Sequence, residues 1–138
     1  MNVWATVQSK LDKVLLPYGI LSHHNRRVKV DKIADSDIKV NNDEYVVYRL
    51  VSSGGRTHGD GKARLVRYYI DVNYYYSYEK TDAAFGGVVE HLAAIKAEFA
   101  ADNRFFVAND TSDISDIDNP YRGINIEFLF VGVVDNGG

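Results

Sequence analysis

Four side chains that can bind metals or anions stand close together near the start of the chain, at His23, His24, Arg26 and Arg27. Paired histidines are frequent zinc ligands, but a zinc site needs ligands that converge on one point. Neighbouring side chains on an extended chain point in opposite directions. We therefore interpret the pair as part of a solvated loop and expect no metal.

A second group of candidate ligands is acidic and consists of Asp110, Asp113, Asp116 and Asp118. Calcium prefers carboxylate oxygens, and an EF-hand loop places them at positions 1, 3 and 5, with Gly at 6 and Glu at 12. The four aspartates do not have this spacing. They indicate an acidic surface loop in which aspartates cap turns.

A glycine-rich segment at 54–61, GGRTHGDG, contains Arg56, His58 and Asp60, which together could support acid–base chemistry. The segment lacks the patterns of phosphate-binding loops, and no helix is predicted directly after it. A loop this rich in glycine does not hold catalytic groups in a fixed geometry. We expect a mobile arm that becomes ordered on a partner. Its candidate contact residues are Gly54, Gly55, Arg56, Thr57, His58, Gly59, Asp60 and Gly61.

Hydroxyl nucleophiles are also present, since Ser52 and Ser53 stand at the end of a predicted strand. They lack the glycine-flanked turn that exposes a catalytic serine. No pattern in the chain marks a pocket with a nucleophile, a base and a group that orients the base. We expect no catalytic residue, no cofactor and no enzymatic activity.

The most unusual segment is VRYYIDVNYYYSY at 66–78, which holds six of the ten tyrosines. Its residues alternate with a period of two, which predicts a β-strand whose even-numbered residues form an apolar face. The odd-numbered face is mixed, with charged, amide and tyrosine side chains. We take five of its residues as candidate interface residues: Arg67, Tyr69, Asp71, Asn73 and Tyr75.

Three uses of this odd-numbered face are open. Sheets that bind RNA carry exposed aromatic side chains beside basic ones, but Asp71 and a formal net charge of −3 disfavour that use. A monomeric sheet can also leave scattered aromatic residues in water. Because tyrosine and arginine are enriched at interface hot spots, we favour contact with other protein.

Hydrophobic periodicity predicts the elements that must position these residues. Spacings of three and four predict helices over 3–16 and 81–102. Predicted strands cover 44–53, 64–78, 104–109 and 122–134.

Two of these strands carry further expectations. The strand over 44–53 is apolar on both faces, so it should lie centrally and be covered on both sides. The strand that starts at Arg64 is much longer than usual. Either a bulge bends it, or part of it projects and meets another chain.

The chain has 138 residues and no cysteine, which predicts a single domain, 1–138, held together by packing alone. The order of elements predicts an α+β fold: a mainly antiparallel sheet with two helices packed on one face and a long flexible hairpin loop. We expect mobile loops at 22–43, with short edge strands in RVKVDKI and DIKV, and at 54–61, and a disordered tail at 135–138. No membrane helix and no secretion signal are expected, which favours a cytoplasmic origin.

Five segments follow one another in a characteristic order. They are LLPYGI after the first helix, DEYVVYRLVSS and RYYIDVNYYYS as strands, TDAAFGGVVEHLAAIKAEF as the second helix, and NPYRGINIEFLFVGVV as the closing strand after an acidic stretch. This order, over about residues 3–134, resembles the small tail-completion or tail-terminator proteins of long-tailed bacteriophages, which join head to tail.

The resemblance implies a structural protein of the virion, located at the head–tail junction and assembled in the host cytoplasm. Such proteins typically form a hexameric ring that caps the finished tail tube, ends its polymerisation and gives the head connector a docking surface. The implied partners are further copies of the chain, the tail tube protein and head connector proteins, with DNA only passing through the channel. The alternatives are a tail tube subunit or a head-side connector or stopper protein, and, less favoured, a small RNA-binding domain.

Overall fold

A computed structural model describes residues 2–30, 33, 37–52, 64–77, 85–116 and 118–134.

Local interactions define both ends of the first helix. Helix α1 (Val3–Leu15) begins after Asn2, whose side chain caps the first turn. A 3₁₀ turn (Leu16–Tyr18) follows and ends at Gly19, which has a φ of 74°. A Cβ at Gly19 would lie 2.1 Å from the Lys39 carbonyl oxygen, so glycine is required there.

One sheet contains the five strands of the described residues. The strands are β1 (Leu21–His24), β2 (Glu44–Ser52), β3 (Arg64–Ser77), β4 (Phe105–Asp113) and β5 (Tyr121–Val134). Their spatial order is β1-β2-β3-β5-β4, with β1 parallel to β2 and all other neighbours antiparallel. A second helix, α2 (Phe85–Ala100), packs with α1 on one face of this sheet. The predicted α+β fold, a mainly antiparallel sheet with two helices on one face, is confirmed.

The core lies between the helices and the even-numbered side chains of the central strands. The Phe99 ring of α2 stacks on Phe128 of β5 at 4.3 Å, and Phe105 meets Phe99 edge-on at 5.1 Å. Each fully buried side chain of this kind stabilises the fold by about 1.5–3 kcal/mol. Other residues buried to 2% exposure or less include Val7, Leu11, Leu15, Val46, Ile70, Tyr74, Ile95, Ile126 and Phe130.

A partly buried polar network borders this core, around the hydroxyl of the buried Tyr74. The hydroxyl donates to Glu44 Oε1 at 2.6 Å and lies 2.8 Å from His91 Nδ1, while Asn41 donates to Glu44 Oε2 at 2.9 Å. Burial alone would raise the pKa of Glu44, but the hydrogen bonds of His91, Tyr74 and Asn41 outweigh it and lower that pKa. The network therefore holds a charged carboxylate under the helices.

The segment 22–43 is not simply a mobile loop, because strand β1 (Leu21–His24) enters it. The edge strand lies before RVKVDKI, and the described residues of that stretch, 27–30 and 33, form no strand. The stretch LSHH does not alternate between apolar and polar residues, because the side chains that face α1 are the polar Ser22 and His24. Its sequence pattern therefore did not predict a strand. The parallel pairing of Leu21 with Tyr45 of β2 creates the strand.

Strand β4 extends beyond its predicted end at residue 109 and includes Asp110 and Asp113 of the expected acidic loop. Its pairing with β5 shifts register twice, between Val107 and Asn109 and again between Asn109 and Ser112. Each shift breaks the period-two alternation on which the prediction depended.

Among the described residues, the helices cover strand β2 on one side only, which differs from the expected cover on both sides. Val46 and Tyr48 are buried under the helices, whereas Val51 is 52% exposed on the opposite face.

The long strand β3 keeps one register with β5 from Arg64–Val134 to Ser77–Tyr121. The described β2 reaches only Tyr68, and β4 reaches only Phe130. Neither pairing of β3 shifts register among the described residues, so no bulge bends the strand there. The alternative, that part of the strand projects and meets another chain, stays a prediction.

Several predictions fall on residues outside the described ranges. These are the partner-contacting loop at 54–61, which is also the expected flexible hairpin loop, the tail at 135–138, and the start of the second helix at 81–84. Within the described ranges, no helix has the length and apolar character needed to cross a membrane.

Candidate protein-interaction surface

The odd-numbered residues of β2, β3 and β5 form the face of the sheet that the helices leave uncovered, here called the open face. Neighbouring side chains on a strand point to opposite sides, and the buried core residues of these three strands, such as Val46, Ile70 and Phe128, are even-numbered. The structure therefore brings all five candidate residues of the strand onto this one face: Arg67, Tyr69, Asp71, Asn73 and Tyr75. Their surroundings differ along its length.

One end of the open face, the aromatic end, consists of Arg27, Tyr45, Tyr75 and Tyr121. Tyr45 stacks on Tyr75 with ring centroids 5.0 Å apart, and Tyr121 meets Tyr45 edge-on at 5.3 Å. The Arg27 guanidinium lies 3.9 Å above the Tyr45 ring, a cation–π contact. Burial raises the pKa of Tyr45 although the nearby Arg27 acts in the opposite direction. This end is already packed by the chain itself.

Backbone contacts fix the aromatic end in place. Arg27 Nη2 and the Tyr121 hydroxyl both donate to the Asn42 carbonyl oxygen, at 3.1 Å and 2.9 Å. Opposite Tyr75 on β5 stands Gly123, where a Cβ would lie 2.9 Å from the Tyr75 ring. Tyr75 thus fills a space that the neighbouring strand leaves open, and it contributes to packing.

The centre of the open face is polar. Arg49, Asp71 and Glu127 lie in one row across β2, β3 and β5. Burial, together with the adjacent Asp71 carboxylate, raises the pKa of Glu127. In the next row, Asn125 Nδ2 donates to Asn73 Oδ1 at 2.8 Å and to Asp71 Oδ1 at 3.3 Å. Two of the candidate residues, Asp71 and Asn73, are therefore oriented by the same amide.

The other end of the open face, the apolar end, consists of Val51, Leu65, Tyr69, Phe106 and Val133. Val51, Tyr69 and Phe106 are joined in one row through Leu129 of β5, while Leu65 and Val133 pair near the end of the described β3–β5 pairing. Phe106 is 53% exposed, Val133 61% and Tyr69 37%. Contiguous exposed apolar side chains mark interaction sites more often than scattered ones do. Arg67 stands between the two rows and is also exposed.

Sequence reasoning missed the residues that other strands contribute to the open face. Val51 could have been identified from the sequence, because apolar residues on both faces of β2 indicate that the face away from the helices also makes contacts. Phe106 follows Phe105 in β4, and neighbouring aromatic residues on a strand must face opposite sides. Arg27 and Tyr121 carried no signal, because their contacts with Tyr45 depend on the fold.

The two edges of the sheet are poorly suited to pairing with another strand. The edge strand β1 has four residues and ends at Asn25, which has a φ of 71°. The other edge strand, β4, has two register shifts and a φ of 20° at Thr111. Short and bulged edges discourage the addition of a strand. An exposed sheet face is therefore a better surface for contact than either edge.

The candidate ligand groups do not form a site. His23 and His24 point to opposite faces, since His24 lies 4.0 Å from the Trp4 ring under α1, whereas the His23 ring lies 6.5 Å from Tyr45. Asp110 forms an ion pair with Lys96 at 3.1 Å. Among the residues that the structure describes, no three His, Cys, Asp or Glu side chains gather as a metal-binding group.

The described residues form a small α+β fold in which the helices cover one face of the sheet. No protein-family model matches the chain, and no curated protein matches it significantly.

Proposed function

We propose that this chain is a structural assembly protein of a long-tailed bacteriophage, one that caps the tail tube as a ring of identical copies. The ring ends polymerisation of the tube and presents a docking surface to the head connector. Its expected copy number is six, its place is the head–tail junction of the virion, and DNA passes through its centre. It catalyses no reaction in this role.

The observation that carries the proposal is the exposed apolar end of the open face. A monomer with this surface would leave Val51, Phe106 and Val133 in water, and covering apolar surface is favourable by about 25 cal/mol per Å². Tyr69 and Arg67 in the same area have the side chains that dominate interface energetics. Contact with other copies is the use that fits these residues.

The blunted edges of the sheet support a limited assembly of this kind. A protein that grew by adding strands would need a regular edge, whereas β4 is bulged and β1 is short. The last described outward-facing residue before the segment 54–61, Val51, and the first one after it, Leu65, both belong to the apolar end. The candidate partner-contacting loop is therefore joined by the chain to the same end of the molecule.

The proposal is tested with the purified chain and with polymerising tail tube protein. The mass of the chain is measured by multi-angle light scattering, alone and after addition to tubes, and particles are viewed by negative-stain electron microscopy. We expect rings, alone or on tube ends, and tubes that stop growing when the chain is added.

Two outcomes would contradict this function. Open-ended polymers of the chain would favour a tube subunit. A monomer that neither associates nor changes tube length, but binds RNA in a salt-sensitive manner, would favour the open-sheet RNA-binding alternative.

A further inference from the structure

The segment 25–30, here called the strap, turns back over the aromatic end of the open face. It begins at Asn25, whose φ of 71° turns the chain just after β1. Tyr45 pairs with Leu21 at the start of β1, yet the Arg27 guanidinium lies 3.9 Å above the Tyr45 ring. The strap therefore runs back along β1 towards the beginning of that strand.

Few contacts hold the strap in this position. Arg27 Nη2 donates to the Asn42 carbonyl oxygen at 3.1 Å, and its guanidinium covers Tyr45. The backbone N–H of Val28 donates to His23 Nδ1 at 3.4 Å. The other residues of the strap are exposed. A segment with so few buried contacts opens more readily than the strands of the core do.

The hydrogen bond from Val28 requires one protonation state of His23. A backbone N–H can only donate, so His23 Nδ1 accepts with a free lone pair, which only a neutral imidazole has. Protonation of His23 therefore removes this bond. It also places a second positive charge beside Arg27, because a guanidinium keeps its charge throughout the range in which histidine titrates. The other cations of the strap, Arg26 and Lys29, are exposed to solvent.

The groups around His23 favour its neutral form. Burial lowers the pKa of His23, and the positive charge of Arg27 lowers it further. From β2, Tyr45 and Arg49 lie on the same face, on either side of Val47, which pairs with His23. Burial raises the pKa of Tyr45, so it is uncharged near neutral pH, and Arg49 lies in a row with two carboxylates. Among the described residues, the charge that acts on His23 is that of Arg27.

We propose that the strap is a pH-sensitive cover, which lies on the aromatic end while His23 is neutral and is released when His23 is protonated. Arg27 covers Tyr45 and lies 5.4 Å from the Tyr121 ring, so release exposes both rings. The aromatic area of the open face that can make contacts then depends on pH. This inference concerns a single copy of the chain and does not rest on the proposed ring.

The lowered pKa sets the direction and the pH window of this release. The closed strap holds His23 with a lowered pKa, so the open form binds the proton more tightly. Closure is fully favoured above the ordinary histidine pKa of about 6.5 and is weakened as the pH falls below it. At about pH 5.5 the ratio of open to closed strap should be higher by at most about tenfold, because an ordinary imidazole is then about ten parts protonated to one part neutral.

The test follows the full chain by NMR from about pH 7.5 downward until the His23 ring is protonated. Imidazole nitrogen signals report the protonation of His23, and the amide signal of Val28 reports its hydrogen bond. Nuclear Overhauser contacts between Arg27 and Tyr45 report the closed strap. We expect these contacts to weaken as His23 takes up its proton, while the amide signals of β3 and β5 stay unchanged.

Substitutions separate the protonation of His23 from other effects of acid. In His23→Asn the amide oxygen can still accept from Val28 but does not titrate, so the strap should stay closed as the pH falls; His23→Gln repeats the test if the asparagine variant does not fold. Arg27→Gln removes the neighbouring charge and should raise the pKa of His23. His58→Asn is the matched control, because it removes another histidine and should leave the titration of the strap unchanged.

Three outcomes would overturn the proposal. One is a strap that keeps its contacts although His23 is protonated. Another is a folded His23→Asn or His23→Gln variant that loses these contacts in acid as the natural chain does, because a different group would then drive the change. The third is a strap that stays closed until the sheet itself unfolds in acid. None of these bears on the ring, which is tested separately by light scattering and tube length.

Discussion

The aromatic end and the apolar end of the open face carry tyrosines on the same strand, but the two tyrosines have different surroundings. Tyr75 stacks on Tyr45 beneath the Arg27 guanidinium, whereas Tyr69 is 37% exposed beside other exposed apolar side chains. The segment that follows β1 brings Arg27 across one end, and the other end stays exposed in the described part of the chain. An outward-facing tyrosine thus indicates an interface only where the chain does not already cover it.

The difference between the aromatic end and the apolar end is tested most directly by the same substitution at both ends. Tyr75→Ala should lower the free energy of unfolding by about 3 kcal/mol, because it removes a packed ring and leaves a cavity beside Gly123. Tyr69→Ala should change it by less than about 0.5 kcal/mol in the monomer, because the side chain is exposed. Urea unfolding followed by circular dichroism, at concentrations where the chain is monomeric, measures both. Equal losses would show that the two ends do not differ.

The next largest effect on the free energy of unfolding is expected at Tyr74, which precedes Tyr75 in β3 and faces the helices. Tyr74→Phe removes the hydroxyl that donates to Glu44 and should cost about 2 kcal/mol at pH 7, as expected for a hydrogen bond to a charged group. The folded-state pKa of Glu44 is lowered, so its charge contributes stability above about pH 4.5 that is lost as the pH falls through the folded pKa. The difference between the variant and the natural chain should therefore shrink in acid. A cost that is independent of pH between 7 and 3 would contradict the role of Glu44.

A smaller effect is expected from the residue that covers the aromatic end. Arg27→Ala should lower the free energy of unfolding by about 1 kcal/mol, because it removes a cation–π contact and the hydrogen bond to Asn42. Arg27→Lys is the matched control, since it keeps the charge but loses the planar group that stacks on Tyr45. The lysine variant should recover only part of the loss in urea unfolding. Full recovery of the free energy of unfolding by Arg27→Lys would mean that the positive charge, without stacking on Tyr45, stabilises the aromatic end.

The smallest change in the free energy of unfolding is expected in the polar centre of the open face, between the two ends. Glu127→Gln should raise the free energy of unfolding by about 0.5 kcal/mol at pH 7, because it removes the repulsion between Glu127 and Asp71 across neighbouring strands. The folded-state pKa of Glu127 is raised, so the natural chain gains stability as the pH falls towards 4.5, and the advantage of the variant should disappear there. Thermal unfolding at pH 7 and pH 4 measures this, with Glu90→Gln on the exposed side of α2 as the control. A destabilised Glu127→Gln variant at pH 7 would show that the carboxylate is needed.

Much of the fold was predictable because its signals are local. The four-residue spacing of Val3, Val7 and Leu11 predicts a helix with one apolar side, and that side is buried. The alternation along 66–78 separates the residues that face the core from those that face outward. It was therefore enough to identify the open face and its five candidate residues on β3.

Periodicity within one segment reports only that segment, so the sequence by itself determined the helices, the long strands and the two faces of β3. Only the tertiary structure decided which strands lie beside one another, and thereby brought Val51, Tyr69 and Phe106 into one row. It also decided that Arg27 covers Tyr45. The physical reason is that these neighbours are joined by pairing between residues far apart in the chain, and pairing depends on how complete strands and helices pack, which no local spacing of residue types records.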